Sequence, residues 1–290
     1  MSTELICRED ERSVLEQLYQ SEKAELLALY GRRRVGKTFL IRAFFSEKKD
    51  AVFFNSTGMK EGSMTEQIAN FTEEMGDTFF YKGARLEAGK NWRNTFRILT
   101  DNIRAISETK KIVLFFDEFP WMATKNSRLL QNLDYFWNQH WSRDKRVKLI
   151  ICGSSASWII NKVVHNKGGL HNRLTREIAL DPLTLCDTQK FLKNMGVTIN
   201  KQQTMGIYIV TGGIPYYLSS INKNLSVVQN IEALSFRRKG LLIEEFDKLY
   251  SSLFEDHEIY VKIIRSIAAH KYGIGQSELF REITPSLKGK

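Results

Sequence analysis

The sequence predicts an α/β chain: a parallel sheet wrapped by helices, followed by a smaller unit of helices alone. Three observations lead there. Short apolar runs at about 25–30, 51–55, 111–117, 147–153 and 175–180 alternate with helical stretches, the pattern of a sheet covered on both faces. A glycine-rich turn ending in Lys-Thr directly follows the first run. After Asp181-Pro182-Leu183 the strand character fades and helix follows helix. A length of 290 residues suffices for a substantial core plus a second unit.

The first strand, Glu25-Leu26-Leu27-Ala28-Leu29-Tyr30, runs into Gly31-Arg32-Arg33-Arg34-Val35-Gly36-Lys37-Thr38, a complete phosphate-binding loop of the form G-x-x-x-x-G-K-T. Its glycines let successive amide N–H groups converge on phosphate oxygens. The helix starting near Lys37 adds the positive end of its dipole. In this motif Lys37 reaches the β/γ-phosphates and the Thr38 hydroxyl ligates Mg²⁺. Thr38 to Phe45 reads as a helix with apolar residues on most of its turns. Next comes the strand Ala51-Val52-Phe53-Phe54-Asn55, whose terminal Asn55 either faces the nucleotide or, the favoured reading, caps the strand. Helices are expected over about 63–75, 92–107 and 127–141, and the helical spacing of Trp92, Phe96, Trp137 and Trp141 assigns these rings to core packing.

Ile112 to Phe116 suits a central parallel strand, which places Asp117 at its C-terminal end, where open α/β sheets bind ligands. Asp117 is expected to hold Mg²⁺ through water. Glu118, with no metal to hold, is the expected general base for the attacking water. The strand Val147 to Gly153 ends in Ser154-Ser155. Ser154 is placed to sense the γ-phosphate or orient the water, and Ser155 or Ser157 is placed to cap a helix through Trp158-Ile159-Ile160. Beyond residue 183, Asp187 reads as a cap or first-turn acid, two glycines end a helix over 205–210, and Pro215 starts the next.

With these motifs in order, the chain resembles the archaeal-type AAA-like ATPases, placed in the signal-transducing STAND branch of P-loop NTPases. The resemblance covers about residues 4–290 and implies a P-loop NTPase parallel sheet with flanking helices, then a helical lid and a partial winged helix. The implied units are 1–183, 184–255 and 256–290. Ile6-Cys7-Arg8-Glu9-Asp10-Glu11 looks like the family's segment near the adenine, with Cys7 where glycine is usual, which makes Arg8 a nucleotide-binding residue. Asn172-Arg173-Leu174-Thr175-Arg176 resembles the segment carrying an arginine that approaches the γ-phosphate. Arg173 is the matching residue, Arg176 a weaker candidate, and Asn172 replaces a common glycine. Thr211-Gly212-Gly213-Ile214-Pro215-Tyr216 resembles the element through which the lid touches the base, making Pro215 a contact. Ile259 to Ala268 and Gln276 to Phe280 resemble the first two helices of a winged helix-turn-helix. Lys290 comes before a third helix and wing, so either the unit is truncated or the DNA-binding reading fails at this point.

The net charge of +10 favours polyanion partners, but the basic residues are scattered rather than gathered in one stripe. Arg32-Arg33-Arg34 either serve the triphosphate or face a partner subunit. Cys7, Cys152 and Cys186 form no C-x-x-C pair and suit a reducing compartment. No apolar run approaches the ~20 residues that cross a bilayer, and no signal peptide opens the chain, so a cytoplasmic protein without membrane contact is expected.

Two functions compete: a Mg²⁺-dependent ATPase acting as a conformational switch, and a DNA-binding module whose nucleotide is structural, using the basic surface and C-terminal region. A kinase shares the phosphate loop but lacks a visible acceptor site. The absence of an N-K-x-D guanine-reading segment favours ATP. A homo-oligomer or an effector protein would be the further partner.

Overall fold

The computed structural model describes residues 5–165, 170–243, 245 and 257–287. Strands β1 (Glu25–Tyr30), β2 (Ala51–Thr57), β3 (Lys111–Asp117), β4 (Val147–Gly153) and β5 (Arg176–Ala179) pair in parallel in the order β2-β3-β4-β1-β5. Each crossover carries a helix, as parallel pairing requires. Helices α1 (Glu9–Gln20) and α2 (Lys37–Ser46) cover one face. Helices α3 (Met64–Phe79), α4 (Trp92–Ala105), α5 (Phe119–Met122), α6 (Leu129–Gln139) and α7 (Ala156–Ile159) cover the other.

The strand period of two divides the apolar residues between these faces. On β3, Ile112, Leu114 and Phe116 join the cluster under α3, α4 and α6, while Val113 and Phe115 join the cluster under α1 and α2. Trp92, Phe96, Trp137 and Trp141 all sit in the first cluster, and the Trp141 indole N–H donates to Thr100 Oγ1 at 3.0 Å. They are packing residues, as their spacing predicts. One polar residue interrupts β4: Lys148 is fully buried, and its ammonium donates to the carbonyls of Ser21, Lys23 and Lys145. Those carbonyls offset the cost of burying the amine, and burial still lowers its pKa to about 8.

Beyond Leu183 come α8 (Leu185–Asn194), α9 (Lys201–Thr211), α10 (Pro215–Leu218) and α11 (Val227–Ser235), gathered around a small core of Leu183, Leu192, Ile207, Leu218 and Leu234. Their starts are fixed locally: Thr184, Asn200 and Ser226 each accept the N–H three residues on. Thr184 rather than Asp187 caps α8, and Asp187 is its first-turn acid. Finally, α12 (His257–Ala269) and α13 (Gln276–Leu287) pack on each other where the first helices of a winged unit are expected. Among the described residues no third helix or wing follows. The expected boundary at 255/256 and the basic Lys288 to Lys290 lie outside the described residues.

Two local expectations fail. Asn55 does not end β2, which continues to Thr57. Ser155 precedes α7 but makes no capping hydrogen bond, and the neighbouring Ser154 bonds across to Glu118 instead.

Candidate nucleotide site

The two loop glycines are needed for different reasons. At Gly31, φ is 154° and a Cβ would stand 2.2 Å from the Leu180 carbonyl oxygen, because the residue after β5 closes against the end of β1. At Gly36 there is open space, but φ is 96°, a conformation that side chains disfavour. Between them, the Lys37 ammonium folds back onto the carbonyls of Gly31 and Arg32, at 2.9 Å each. Lys37 is 6% exposed, and burial holds its pKa below the ordinary lysine value, while Cys152, Glu118 and Asp117 pull it the other way.

Asp117 ends β3 beside the loop. Its Oδ2 accepts the Thr38 hydroxyl at 2.6 Å and its Oδ1 accepts the Glu118 N–H at 3.0 Å. Glu118 itself stands at φ 44°, ψ 43° ahead of α5, a left-handed conformation that costs on the order of 1 kcal/mol for a residue with a Cβ. That turn directs its carboxylate to the end of the neighbouring β4. There Oε2 accepts both the N–H of Ser154 (3.1 Å) and its hydroxyl (2.9 Å). The four acidic and hydroxyl positions read from three separate motifs are thus joined in one hydrogen-bonded row.

Above this row lies a cavity of about 780 Å³ between sheet and lid, a size that suits a nucleotide. Arg8, Arg33, Arg34, Val35, Gly36, Lys37, Thr38, Glu118 and Pro215 line it. Arg8 is 9% exposed and cross-links three segments: it donates to the carbonyls of Val35 (3.2 Å) and Asp181 (2.8 Å) and pairs with Glu11 (3.0 Å). The preceding Cys7 takes φ 58°, which explains why a glycine suits that position, and burial beside Asp187 pushes its thiol up to about 11. Pro215 begins α10 after Gly213, whose φ of 67° and 2.1 Å Cβ approach to the Leu183 carbonyl demand glycine.

Not every expected residue gathers here. Arg32 is exposed and contributes only its carbonyl. Arg173 is exposed on a short helical turn (Leu170–Arg173) ahead of β5, whose first residue, Arg176, pairs with Leu27 well before the loop, and it does not line the cavity. Conversely, of an apolar wall that suits a base, only Ile6 lies in a segment the sequence placed near the adenine; sequence reasoning missed Leu5, Leu183, Phe191 and Met195. It also missed Arg34's partners. Arg34 forms an ion pair with the buried Glu245 at 2.7 Å, its guanidinium lies 4.0 Å from the Tyr216 ring centre, and Tyr217 also donates to Glu245 at 3.2 Å. Only Tyr216, adjacent to Pro215, carried a signal in the sequence.

Residues 5–221 match the model of an ATPase domain found predominantly in Archaea. The Methanocaldococcus jannaschii protein MJECL04 is 28% identical over 286 residues, which span 97% of this chain and 59% of that relative, so this chain covers somewhat more than half of it. Among solved structures, the Walker-type ATPase PABY2304 of Pyrococcus abyssi aligns over 99% of this chain and 85% of its own, with a TM-score of 0.64 and 19% identity. The Aeropyrum pernix ORC2 protein, solved as ADPNP–ADP complexes, aligns over 99% and 81%, with a TM-score of 0.62 and 16% identity. Both share its fold. With its family model matched over most of its length, the chain belongs to the ATPase domains found predominantly in Archaea.

Proposed function

We propose that the chain is a Mg²⁺-dependent ATPase of the STAND type, in which turnover changes how the helical lid packs on the sheet. The observation that carries this reading is the row Thr38–Asp117–Glu118–Ser154 directly under the Lys37 loop. The residues present fit Mg·ATP. At Gly36 the backbone stands at φ 96° with open space where a Cβ would be, among the described residues the Lys37 amine bonds only to carbonyls, and Thr38 directly and Asp117 through water would supply the few protein oxygens Mg²⁺ takes beside phosphates. The ADPNP and ADP held by the ORC2 protein support the choice of nucleotide.

When bound, Mg²⁺ would neutralise charge on the β- and γ-phosphates. Lys37 would leave the Gly31 and Arg32 carbonyls for those oxygens, and Asp117 would turn from the Thr38 hydroxyl to the metal's water. Glu118 has one oxygen occupied by Ser154, which fixes the carboxylate and leaves Oε1 to accept a proton from the attacking water. Arg173, exposed outside the cavity, suits a γ-phosphate held by a second copy of the chain, in line with a homo-oligomer. Pro215 and the apolar wall would hold the base. Arg34 gives the lid its link to the phosphates: it sits within the loop and holds Glu245 and Tyr216.

Glu118→Gln tests the assignment. The variant should bind ATP as tightly as the parent by calorimetry while steady-state phosphate release falls about 10²–10⁴-fold. Release at the parent rate would remove Glu118 from its role. A second reading, a DNA-binding module in which the nucleotide is structural, is favoured by the charge of +10 and by the α12–α13 pair. It requires salt-sensitive DNA binding that survives Lys37→Ala.

A further inference from the structure

On the α3–α6 side of the sheet, away from the nucleotide loop, α4 and α6 enclose a second cleft of about 230 Å³. Its lining is cationic. Arg93, Arg97 and Arg104 recur on one face of α4 at intervals of four and seven residues, so all three project on the same side of the helix. All three are exposed. Across the cleft, α6 supplies Tyr135, 40% exposed, with the Arg93 guanidinium 4.7 Å from its ring centre. His140, ending α6, lies 3.3 Å from the Arg104 guanidinium. Burial, then the charges of Arg104 and Arg143, hold that imidazole below the ordinary histidine pKa, so it stays neutral at pH 7. Among the described residues Asp101 is the one acid in the lining, and its pair with Arg104 is long and exposed, at 3.4 Å. Such a pair contributes little and yields readily to a stronger anion.

We propose that this cleft binds the sugar–phosphate backbone of a nucleic-acid strand, with Arg93, Arg97 and Arg104 each on a different phosphate along it and the Tyr135 ring beneath a base. The reach of the stripe selects the ligand. From Arg93 to Arg104 the helix rises about 16 Å, too long for one phosphate group, whereas a strand presents a phosphate every ~3.4 Å of duplex axis. Guanidinium forks suit phosphate oxygens, and a tyrosine face already stacked on one side by a cation is a platform that unpaired bases accept. This site is independent of the nucleotide cavity and of its chemistry.

The test is fluorescence anisotropy of a labelled single-stranded oligonucleotide of about 20 bases with the full chain, from 50 to 300 mM NaCl. In Arg93→Ala/Arg97→Ala/Arg104→Ala, affinity at 50 mM salt should fall at least tenfold. The slope of log K against log salt should shrink by about 2, at ~0.7 per lost phosphate contact on a single strand. A control of equal charge loss on the lid, Lys193→Ala/Lys201→Ala/Lys223→Ala, should keep the parental slope. If the triple variant folds poorly, Arg97→Gln alone should lower the slope by about 0.7. Unchanged slope and affinity in the cleft variants, or equal losses in the control, would overturn the proposal. So would full displacement of the oligonucleotide by millimolar inorganic phosphate at constant ionic strength, which marks a small-anion site, or retention of poly-glutamate but not of the oligonucleotide, which marks an acidic protein partner.

Discussion

The two walls of the nucleotide cavity are built to different standards. On the sheet side, Lys37, Asp117 and Ser154 are each less than a tenth exposed, and their backbones hang from strands buried on both faces. On the lid side the core is small, and α9 and α11 leave Ile209 and Val228 about three-quarters exposed. A hydrogen-bonded knot joins the walls, Arg34 with Glu245 beside Tyr216 and Tyr217, while Arg8 ties the N-terminal segment to the loop and to the end of β5 through the carbonyls of Val35 and Asp181. The contrast teaches which parts can move. A wall held by dense apolar burial is fixed before ligand arrives, whereas a wall held by a few polar side chains opens at low cost.

Matched glycine substitutions strain this comparison most. Gly31→Ala and Gly213→Ala commit the same local offence, a Cβ at 2.2 Å from the Leu180 carbonyl oxygen and 2.1 Å from that of Leu183, at positive φ. In the sheet wall the clash has nowhere to go, so Gly31→Ala should cost about 3 kcal/mol in urea unfolding and abolish ATP binding. Gly213→Ala should instead undock the lid: proteolysis of residues 184–235 accelerates while the sheet unfolds near the parental midpoint. Equal global losses in both variants would mean that the two walls unfold as one body.

Arg34→Ala is the next largest step and acts on the knot itself. Among the described residues it leaves the Glu245 carboxylate, 8% exposed, with the Tyr217 hydroxyl alone, so about 2 kcal/mol of lid docking should be lost, less than for a fully buried pair because Arg34 is 26% exposed. In the parent, ATP should protect the lid from protease. In Arg34→Ala that protection should weaken at least tenfold while calorimetric affinity for ATP changes only a few-fold. Undiminished protection would deny Arg34 its linking role.

The same division governs what the sequence could reveal. The five strands, the loop and the Asp117-Glu118 pair were legible because each is local: an apolar run, a fixed glycine spacing, a strand ending in carboxylates. Buried parallel strands leave little choice of register, and β3 and β4 begin and end where their runs do. Partners far apart in the chain left no such mark. Glu245 sits in no motif, yet it takes the loop's Arg34, and Leu5, Phe191 and Met195 meet in one wall where the Cys7 thiol donates to the Asp187 carbonyl of α8 and Arg8 binds the N-terminal segment to the end of β5. The arginine stripe of α4 was hidden differently. Counted along the chain the charges look scattered, and only the turn of the helix gathers Arg93, Arg97 and Arg104. Asn55 was misread because strand propensity falls at asparagine, while pairing with β3 carries β2 on to Thr57.

The smallest effect separates the walls by pH. Glu74 on α3 sits beside Ser56 and Thr57, and Thr57 pairs with Asp117 at the sheet edge. Burial raises its pKa to about 7, against the opposing pull of Ser56, Thr57 and Arg42. A carboxyl with its folded pKa raised binds its proton more tightly when folded. Its contribution is therefore complete below the unfolded value near 4.5 and is lost as pH rises toward 7. Glu74→Gln keeps the group neutral, so it should match the parent in urea stability at pH 4.5 and exceed it by about 1 kcal/mol at pH 8, a figure reduced for partial exposure. Because Glu74 packs on the sheet, the gain should appear in the sheet's unfolding and leave lid proteolysis unchanged at either pH. A gain that was equal at both pH values would show that the carboxylate is not desolvated. A gain in lid protection would show that the sheet edge and lid are coupled more tightly than their few contacts imply.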